Sequence, residues 1–155
     1  MTNDFWSTIH RVLAGAAAYI TDPQGRVLLV DPNYRDHWIF PGGSLDAGEE
    51  PAQACAREIT EELGLELPVG DLLAVQWVPA YDTRPYPLVS FVFDCGVIPA
   101  DTPIKVQEAE LDGYGFFDPE EAAGLLAPSL HQRLLAAREA RADGRIRYLP
   151  PTTVS

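Results

Sequence analysis

The chain has 155 residues, with 23 acidic side chains against 11 Lys and Arg and a formal net charge of −12. This length predicts a single domain, which can bury a core without disulfide bonds. The acidic balance argues against binding to a nucleic-acid backbone, because such binding needs clustered Lys and Arg. Cys55 and Cys95 are too few for a disulfide framework, and we expect both to be small buried side chains.

The N-terminal segment predicts neither a leader nor a membrane anchor. It has no basic stretch before an apolar run, and the run at 12–20 (VLAGAAAYI) is too short to span a bilayer. We therefore expect a cytoplasmic protein with no membrane partner.

The first part of the chain predicts strands separated by turns. Residues 11–20 form an apolar run of strand length, followed by the turn signals of TDPQG. Residues 26–31 (RVLLVD) predict a second strand, so the two are expected to form a hairpin. HWIF (37–40) predicts a short strand that stops at Pro41 and two glycines.

The rest of the chain mixes helices and strands. Residues 50–63 predict a helix, because Pro51 suits the first turn and Gly64 the C-terminal end. Strands are predicted at 72–81, 86–97 and 113–118, and helices at 119–126 and 128–144. In the last helix, Leu130, Leu134 and Ala137 form an apolar stripe that should pack on the core. Residues 145–155 predict an extended tail, and the whole pattern favours a layered domain of sheets and helices.

The helix at 50–63 carries an unusual amount of like charge. At about 100° per residue, Ala52, Ala56, Ile59 and Leu63 fall within roughly 60° of one another and form one apolar face. The carboxylates fall on the other side, at Glu58, Glu61 and Glu62. Such spacing is common on solvated helix faces, where each like-charged pair costs a few tenths of a kcal/mol. The alternative is a site for a hard divalent cation, which prefers carboxylate and water oxygens.

The segment before the helix favours the cation site. PGGSLDAGEE supplies glycines that let the backbone turn tightly and approach a ligand. Glu49 and Glu50 lie near the positive end of the helix dipole, where acids also stabilise the helix start.

The spacing in residues 43–65 resembles the Nudix box. Its defining positions are occupied by Gly43, Glu49, Arg57, Glu58, Ile59, Glu61, Glu62, Gly64 and Leu65. The upstream HWIFPGG is also similar to the family's usual approach to the box, and the resemblance covers about residues 10–140. It implies an α/β fold, a Nudix-type α/β/α sandwich with a mixed β-sheet, as a single domain over residues 1–155 (core about 10–142, tail 143–155).

The resemblance also implies an activity. Most members hydrolyse a nucleoside diphosphate linked to another moiety, with Mg²⁺ or Mn²⁺, by in-line attack of an activated water. We therefore expect a pyrophosphohydrolase acting on a small nucleotide diphosphate derivative such as ADP-ribose, a nucleotide sugar or an oxidised nucleoside triphosphate. The alternatives are a Nudix-fold ligand sensor without turnover and, with less support, an isoprenoid diphosphate isomerase. A homodimer is permitted.

Residue roles follow from the same resemblance. Glu58, Glu61 and Glu62 would bind the metal, Gly43 would offer its carbonyl, Arg57 would hold the glutamates, and Glu49 would tie the loop to the helix. The general base would be a box glutamate or an acid of a later loop, for which Glu108 and Glu110 are both candidates.

Residues that hold the substrate are less well marked by sequence. Aromatic side chains before the box, Tyr34, Trp38 and Phe40, are candidates to stack on a base. Strand alternation sends Trp38 and Phe40 to the same face, so one or both are alternatively core residues. Arg35 and Arg84 lie in predicted loops and are candidate phosphate contacts. Pro79 and Tyr81 bracket a position that marks some subfamilies, but they select no substrate.

Overall fold

A mixed β-sheet with helices on both faces organises residues 3–151, the part of the chain that the computed structural model describes. The helices are α1 (Asn3–Thr8), α2 (Pro51–Leu63), α3 (Pro119–Ala123) and α4 (Pro128–Asp143). The strands are β1 (Leu13–Thr21), β2 (Val27–Pro32), β3 (Gly42–Ser44), β4 (Leu72–Val78), β5 (Leu88–Val97), β6 (Leu111–Phe117) and β7 (Arg147–Leu149). No helix in this range is long and apolar enough to cross a membrane.

The sheet is built around β1. Its main path runs β6-β2-β1-β5-β4-β7, with β1 parallel to β5 and antiparallel to β2. One edge of β1 is shared, because Thr21 pairs with Val27 of β2 while residues 15–17 pair with β3. Strands β2 and β3 therefore pair with different parts of the same edge of β1.

Alternation along β1 fills both faces of the sheet. Ala17 and Tyr19 belong to the core cluster that α3 and α4 cover. Ala16, Ala18 and Ile20 belong to the cluster on the opposite face, which α2 covers. Because both faces are buried, the strand is a continuous apolar run rather than an alternating one. The predicted α/β/α sandwich with a mixed sheet is confirmed.

Strand predictions differ from the structure at three places. Trp38 and Ile39 of HWIF form only isolated bridges, to Leu126 and Val30, so the short strand predicted there is wrong. The glycines expected to stop it instead form β3 against β1. Residues of the expected tail contribute β7, which pairs parallel with β4, and residues 152–155 lie outside the described range. α1 was not predicted.

The helix α2 begins and ends as its sequence predicts. Glu50 is the N-cap and forms a reciprocal capping box with Gln53, while Pro51 occupies the first turn. Gly64 ends the helix in the left-handed conformation, at φ 66°.

The predicted apolar face of α2 is only partly correct. Ile59 and Leu63 are fully buried, but Ala52 and Ala56 are only partly buried. Ala54 and Cys55 complete the buried surface instead. Cys55 and Cys95 are both buried free thiols, with Sγ atoms 3.8 Å apart, which confirms their expected role as small core side chains.

Adjacent leucines of α4 test how far the core on this face controls stability. Leu134 is 1% exposed within the cluster that α3 and α4 cover, whereas Leu135 is 37% exposed. Leu134→Ala is expected to lower the free energy of unfolding by about 2–5 kcal/mol, because it leaves a cavity. Leu135→Ala is the matched control and should cost less than about 1 kcal/mol. Urea unfolding of both variants checks this, and equal losses would place the core elsewhere.

Candidate active site

Two glycines let the acidic face of α2 approach the sheet closely. A Cβ atom on Gly43 would lie 2.6 Å from Oε1 of Glu58, and one on Gly42 would lie 2.1 Å from the Ala16 carbonyl oxygen. Gly42 also has φ 149°, which favours glycine. Its backbone N–H donates to Oε2 of Glu62 at 3.2 Å. Glycine at 43 is therefore a steric requirement for placing Glu58 against β3, and glycine at 42 is one for pairing β3 with β1.

Arg57 organises the carboxylates around it. Its guanidinium donates two hydrogen bonds to Glu49, from Nε at 2.8 Å and Nη2 at 3.0 Å. Nη1 donates to Glu58 at 2.9 Å and to Glu61 at 3.1 Å, and Nη2 also donates to the Ser44 carbonyl. The hydrogen bonds from Arg57, with one from the Asp46 N–H, lower the pKa of Glu49. One arginine thus ties the loop before α2 to the helix.

Glu58 and Glu62 form a close pair of acids one helical turn apart. Glu62 is only 4% exposed, and burial followed by the charge of Glu58 raises its pKa to about 9. Burial also raises the pKa of Glu58, although its hydrogen bond to Arg57 opposes this. Because Arg57 contacts Glu58 and not Glu62, Glu62 is the member that holds a proton when nothing else neutralises the pair.

The donor set at this pair fits a hard divalent cation. Mg²⁺ is commonly held by one or two carboxylates, with water and substrate phosphates supplying the remaining ligands. Residues 3–151 contain no preformed group of three or more Asp, Glu, His or Cys side chains around one point. Glu62 is nevertheless buried and Glu58 half-buried, and both carboxylates lie beside the glycine backbone of β3, so the pair offers oxygen donors to a cation there.

Other predicted ligands lie around this pair in different ways. Glu61 is half-exposed and turned towards Arg57. The Gly43 carbonyl oxygen lies against β1, 3.2 Å from where a Cβ of Gly15 would stand. Glu110 is near enough for its charge to raise the pKa of Glu62, whereas Glu108 is not among the causes of that shift. Of the two candidate acids in the later loop, Glu110 is therefore the one whose charge acts on Glu62.

A cleft of about 340 Å³ opens beside the glycine strand. Its floor is formed by Gly15, Ala16 and Ala17 of β1 with β3, and the start of α4 forms one wall. Predicted substrate contacts that line it are Tyr34, Arg35, Phe40 and Arg84. Burial raises the pKa of Tyr34, and the charges of Glu62, Glu110 and Glu58 also act to raise it, so this lining residue lies within the electrostatic reach of the acid pair.

Trp38 does not line this cleft. It is half-buried and packs edge-to-face on Phe117, with ring centroids 5.0 Å apart, against the core cluster. Phe40 is 3% exposed and belongs to the same cluster, although its ring also reaches the cleft. Trp38 therefore packs on the core, which was the alternative for this residue, and it is not part of the proposed substrate site.

The two loop arginines have different surroundings. Arg84 donates to the carbonyls of Tyr86 and Pro79 and stacks on Tyr81 at 4.9 Å, so it braces the loop between β4 and β5. Arg35 is exposed and lies 5.6 Å from the Tyr34 ring centroid. Both present positive charge to the cleft.

Sequence reasoning missed Arg133, a buried arginine of α4 that lines the cleft. A signal for it was present, since position 133 lies three residues after Leu130 and four before Ala137, on the stripe predicted to be core. Burial, with the charge of Arg35, lowers the pKa of Arg133 to about 10. The side chain stays protonated at neutral pH.

Comparison with known proteins places this geometry in a family. The NUDIX domain model matches residues 11–138. Diphosphoinositol polyphosphate phosphohydrolase 2 of Rattus norvegicus is 40% identical over 63 residues, which are 40% of this chain and 35% of that protein. The chain thus spans about a third of the length of that curated relative.

Solved structures show the same fold over nearly the whole chain. The MutT protein from Methanosarcina mazei Go1 has a TM-score of 0.72 at 24% identity, covering 85% of this chain and 96% of that one. An ADP-ribose pyrophosphatase from Streptococcus suis has a TM-score of 0.68 at 19% identity, covering 92% and 100%. At these identities the likeness concerns the fold, while the family match covers most of the chain. The chain belongs to the Nudix family.

Proposed function

We propose that the protein is a metal-dependent Nudix pyrophosphohydrolase that cleaves a phosphoanhydride in a small nucleotide diphosphate derivative. The observation that carries this proposal is the close Glu58–Glu62 pair beside glycine backbone, in which Glu62 is buried and Glu58 accepts a hydrogen bond from Arg57. Two ionised carboxylates placed this close repel each other, and a bound divalent cation would offset that repulsion. The family match supports the reaction type.

The metal would be Mg²⁺ or Mn²⁺, held by Glu58 and Glu62, with Glu61 and the Gly43 carbonyl as the further donors expected from the family resemblance. When bound, it would neutralise the diphosphate oxygens and activate a water for in-line attack on phosphorus. Arg57 would keep Glu58 ionised and oriented. Glu110, whose charge acts on Glu62, is the preferred candidate over Glu108 for accepting the proton of the attacking water.

The substrate would enter through the cleft that connects β3 with α4. Tyr34, Tyr81 and Phe40 offer aromatic surface for a base, and the arginines around them offer positive charge. Relatives act on diphosphoinositol polyphosphates and, among the solved structures, on ADP-ribose. These compounds share a phosphoanhydride, and for this chain we propose only the cleavage of that type of bond.

A substrate panel tests the activity directly. Product release should be measured for ADP-ribose, nucleotide sugars, dinucleoside polyphosphates and nucleoside triphosphates with Mg²⁺, with Mn²⁺ and with EDTA. We expect turnover of at least one compound, lost in EDTA. Glu62→Gln should lower it at least about 100-fold, because it removes a proposed ligand, and Glu110→Gln should lower it more than Glu108→Gln.

The control for this panel is Glu66→Gln, an exposed acid just beyond α2, which should leave turnover unchanged. Full turnover by Glu62→Gln would contradict the ligand assignment. Tight binding of a compound without any turnover would contradict the enzyme and favour a ligand sensor.

Glycine substitution offers a second test that leaves every carboxylate in place. Gly43→Ala would put a methyl group 2.6 Å from Oε1 of Glu58 and is expected to displace that side chain, lowering turnover at least about 10-fold. Gly113→Ala in β6 is the matched control, since a Cβ there meets nothing within 4 Å. The kcat and KM of both variants should be measured, with thermal unfolding to show that they fold. Unchanged turnover by Gly43→Ala would show that Glu58 need not hold this position.

A further inference from the structure

Arg133 is a buried cation without a counter-charge. Its residue surface is 8% exposed, and no ion pair to it is found among residues 3–151. The other arginines that reach into the fold are neutralised, since Arg57 pairs with Glu49 and Glu58, and Arg141 with Asp94. Burying a guanidinium without a partner is costly, so its place at the cleft requires an explanation.

The side chain is held in one orientation by a neutral network. Nε of Arg133 donates to Oε1 of Gln76 at 2.7 Å, and Nε2 of Gln76 donates to the Ser129 carbonyl at 2.9 Å. Gln76 is itself 1% exposed. The guanidinium lies over the Phe40 ring at 5.5 Å. These contacts fix the plane of the guanidinium without neutralising its charge.

The remaining edge of the guanidinium faces the cleft. Only Nε makes a hydrogen bond within the described residues, and no buried side-chain nitrogen there is left without a partner. Nη1 and Nη2 therefore retain access to the cleft, of which Arg133 is a lining residue. Two parallel N–H groups on one edge match the geometry of a carboxylate or a phosphate.

The charges around Arg133 also favour an anionic ligand. Arg35 and Arg84 line the same cleft and, like Arg133, form no ion pair within residues 3–151. The whole chain carries a net charge of −12, so a cleft with three unpaired guanidinium groups is a local reversal of sign. A neutral acceptor would satisfy the hydrogen bonds of Arg133 but would leave this charge uncompensated, whereas an anion would satisfy both.

We propose that Arg133 is a specificity-determining residue that binds an anionic group, a phosphate or a carboxylate, carried by the substrate in addition to the diphosphate placed at Glu58 and Glu62. The proposal rests on the proposed function for the position of that diphosphate. Because Arg133 and the β3 backbone beside Glu58 and Glu62 line the same cleft, a single extended substrate would reach both. The anion would belong to the moiety attached to the diphosphate or to a further phosphate of the chain.

Matched ligand pairs test the proposal by binding alone. Titration calorimetry in EDTA should compare UDP-glucuronate with UDP-glucose, which differ by a carboxylate, and 2′-phospho-ADP-ribose with ADP-ribose, which differ by a phosphate. GTP and ATP form a third pair, because guanine offers a neutral pair of acceptors to arginine. The readout is the ratio of dissociation constants within each pair, which general damage to the fold does not change.

Four variants test whether this ratio of dissociation constants depends on Arg133. The wild-type protein should prefer an anionic member by about 10- to 100-fold, and Arg133→Met should abolish that preference. Arg133→Lys should retain part of it, because the charge remains but the planar fork is lost. Gln76→Glu should reduce it by supplying an internal counter-charge. Arg138→Met, an exposed position of the same helix, is the control that should retain it.

The outcomes separate this proposal from the proposed function. A wild-type protein that prefers neither anionic compound, or a preference that survives Arg133→Met, would overturn it. If only the ratio for GTP against ATP depends on Arg133, the proposal would also be overturned. Arg133 would then bind the neutral edge of a base. Absence of hydrolysis with Mg²⁺ or Mn²⁺ would instead contradict the proposed function, and the binding ratios in EDTA would stand.

Discussion

Two carboxylates held in contact within a buried site are the constraint on which the rest of this structure depends. Glu58 and Glu62 repel each other when both are ionised, and Glu62 has little water around it. The fold holds them there with a helix capped at both ends, an arginine that braces Glu58 and a strand of glycines that leaves room for both side chains. Each of these features is local, but together they convert an unfavourable pair into a site prepared for positive charge.

The site combines two regions of opposite charge. Acids of α2 lie against the β3 backbone that lines the cleft, while Arg35, Arg84 and Arg133, which form no ion pair within residues 3–151, line the cleft itself. A phosphorylated substrate suits this division, since one group would be received through the metal and another directly by a guanidinium. In the proposed function, residues of α2 would carry the reaction chemistry, and residues of α4 and the loops would recognise the substrate.

Sequence alone predicted the layered fold and the residues of the acidic helix, because both are encoded locally by strand runs, helix caps and fixed spacing. It failed where tertiary contact decides. Trp38 was a candidate stacking residue with core packing as its alternative, and it is half-buried against Phe117. Ala52 was expected on the buried face but is only partly buried, because α2 is rotated towards Glu62. Arg133 was missed because the helical stripe that contains it was interpreted as core packing. Its hydrogen-bond partner Gln76 also lies 57 residues away in sequence. The roles assigned to the site residues stay predictions.

The measurement that tests this account most directly is the stability of Glu62→Gln against the wild type, in EDTA and in Mg²⁺, as a function of pH. The folded pKa of Glu62, about 9, lies above its ordinary value of 4.5. The stability contributed by its protonated form is therefore complete below pH 4.5 and lost as the pH rises towards 9.

In EDTA at pH 8 the glutamine variant should be more stable than the wild type, by on the order of 1–2 kcal/mol, with the difference vanishing near pH 4.5. Saturating Mg²⁺ should stabilise the wild type and leave the variant nearly unchanged. A variant that is less stable than the wild type in EDTA, or equally stabilised by Mg²⁺, would contradict the claim that this pair is a costly site kept for a metal.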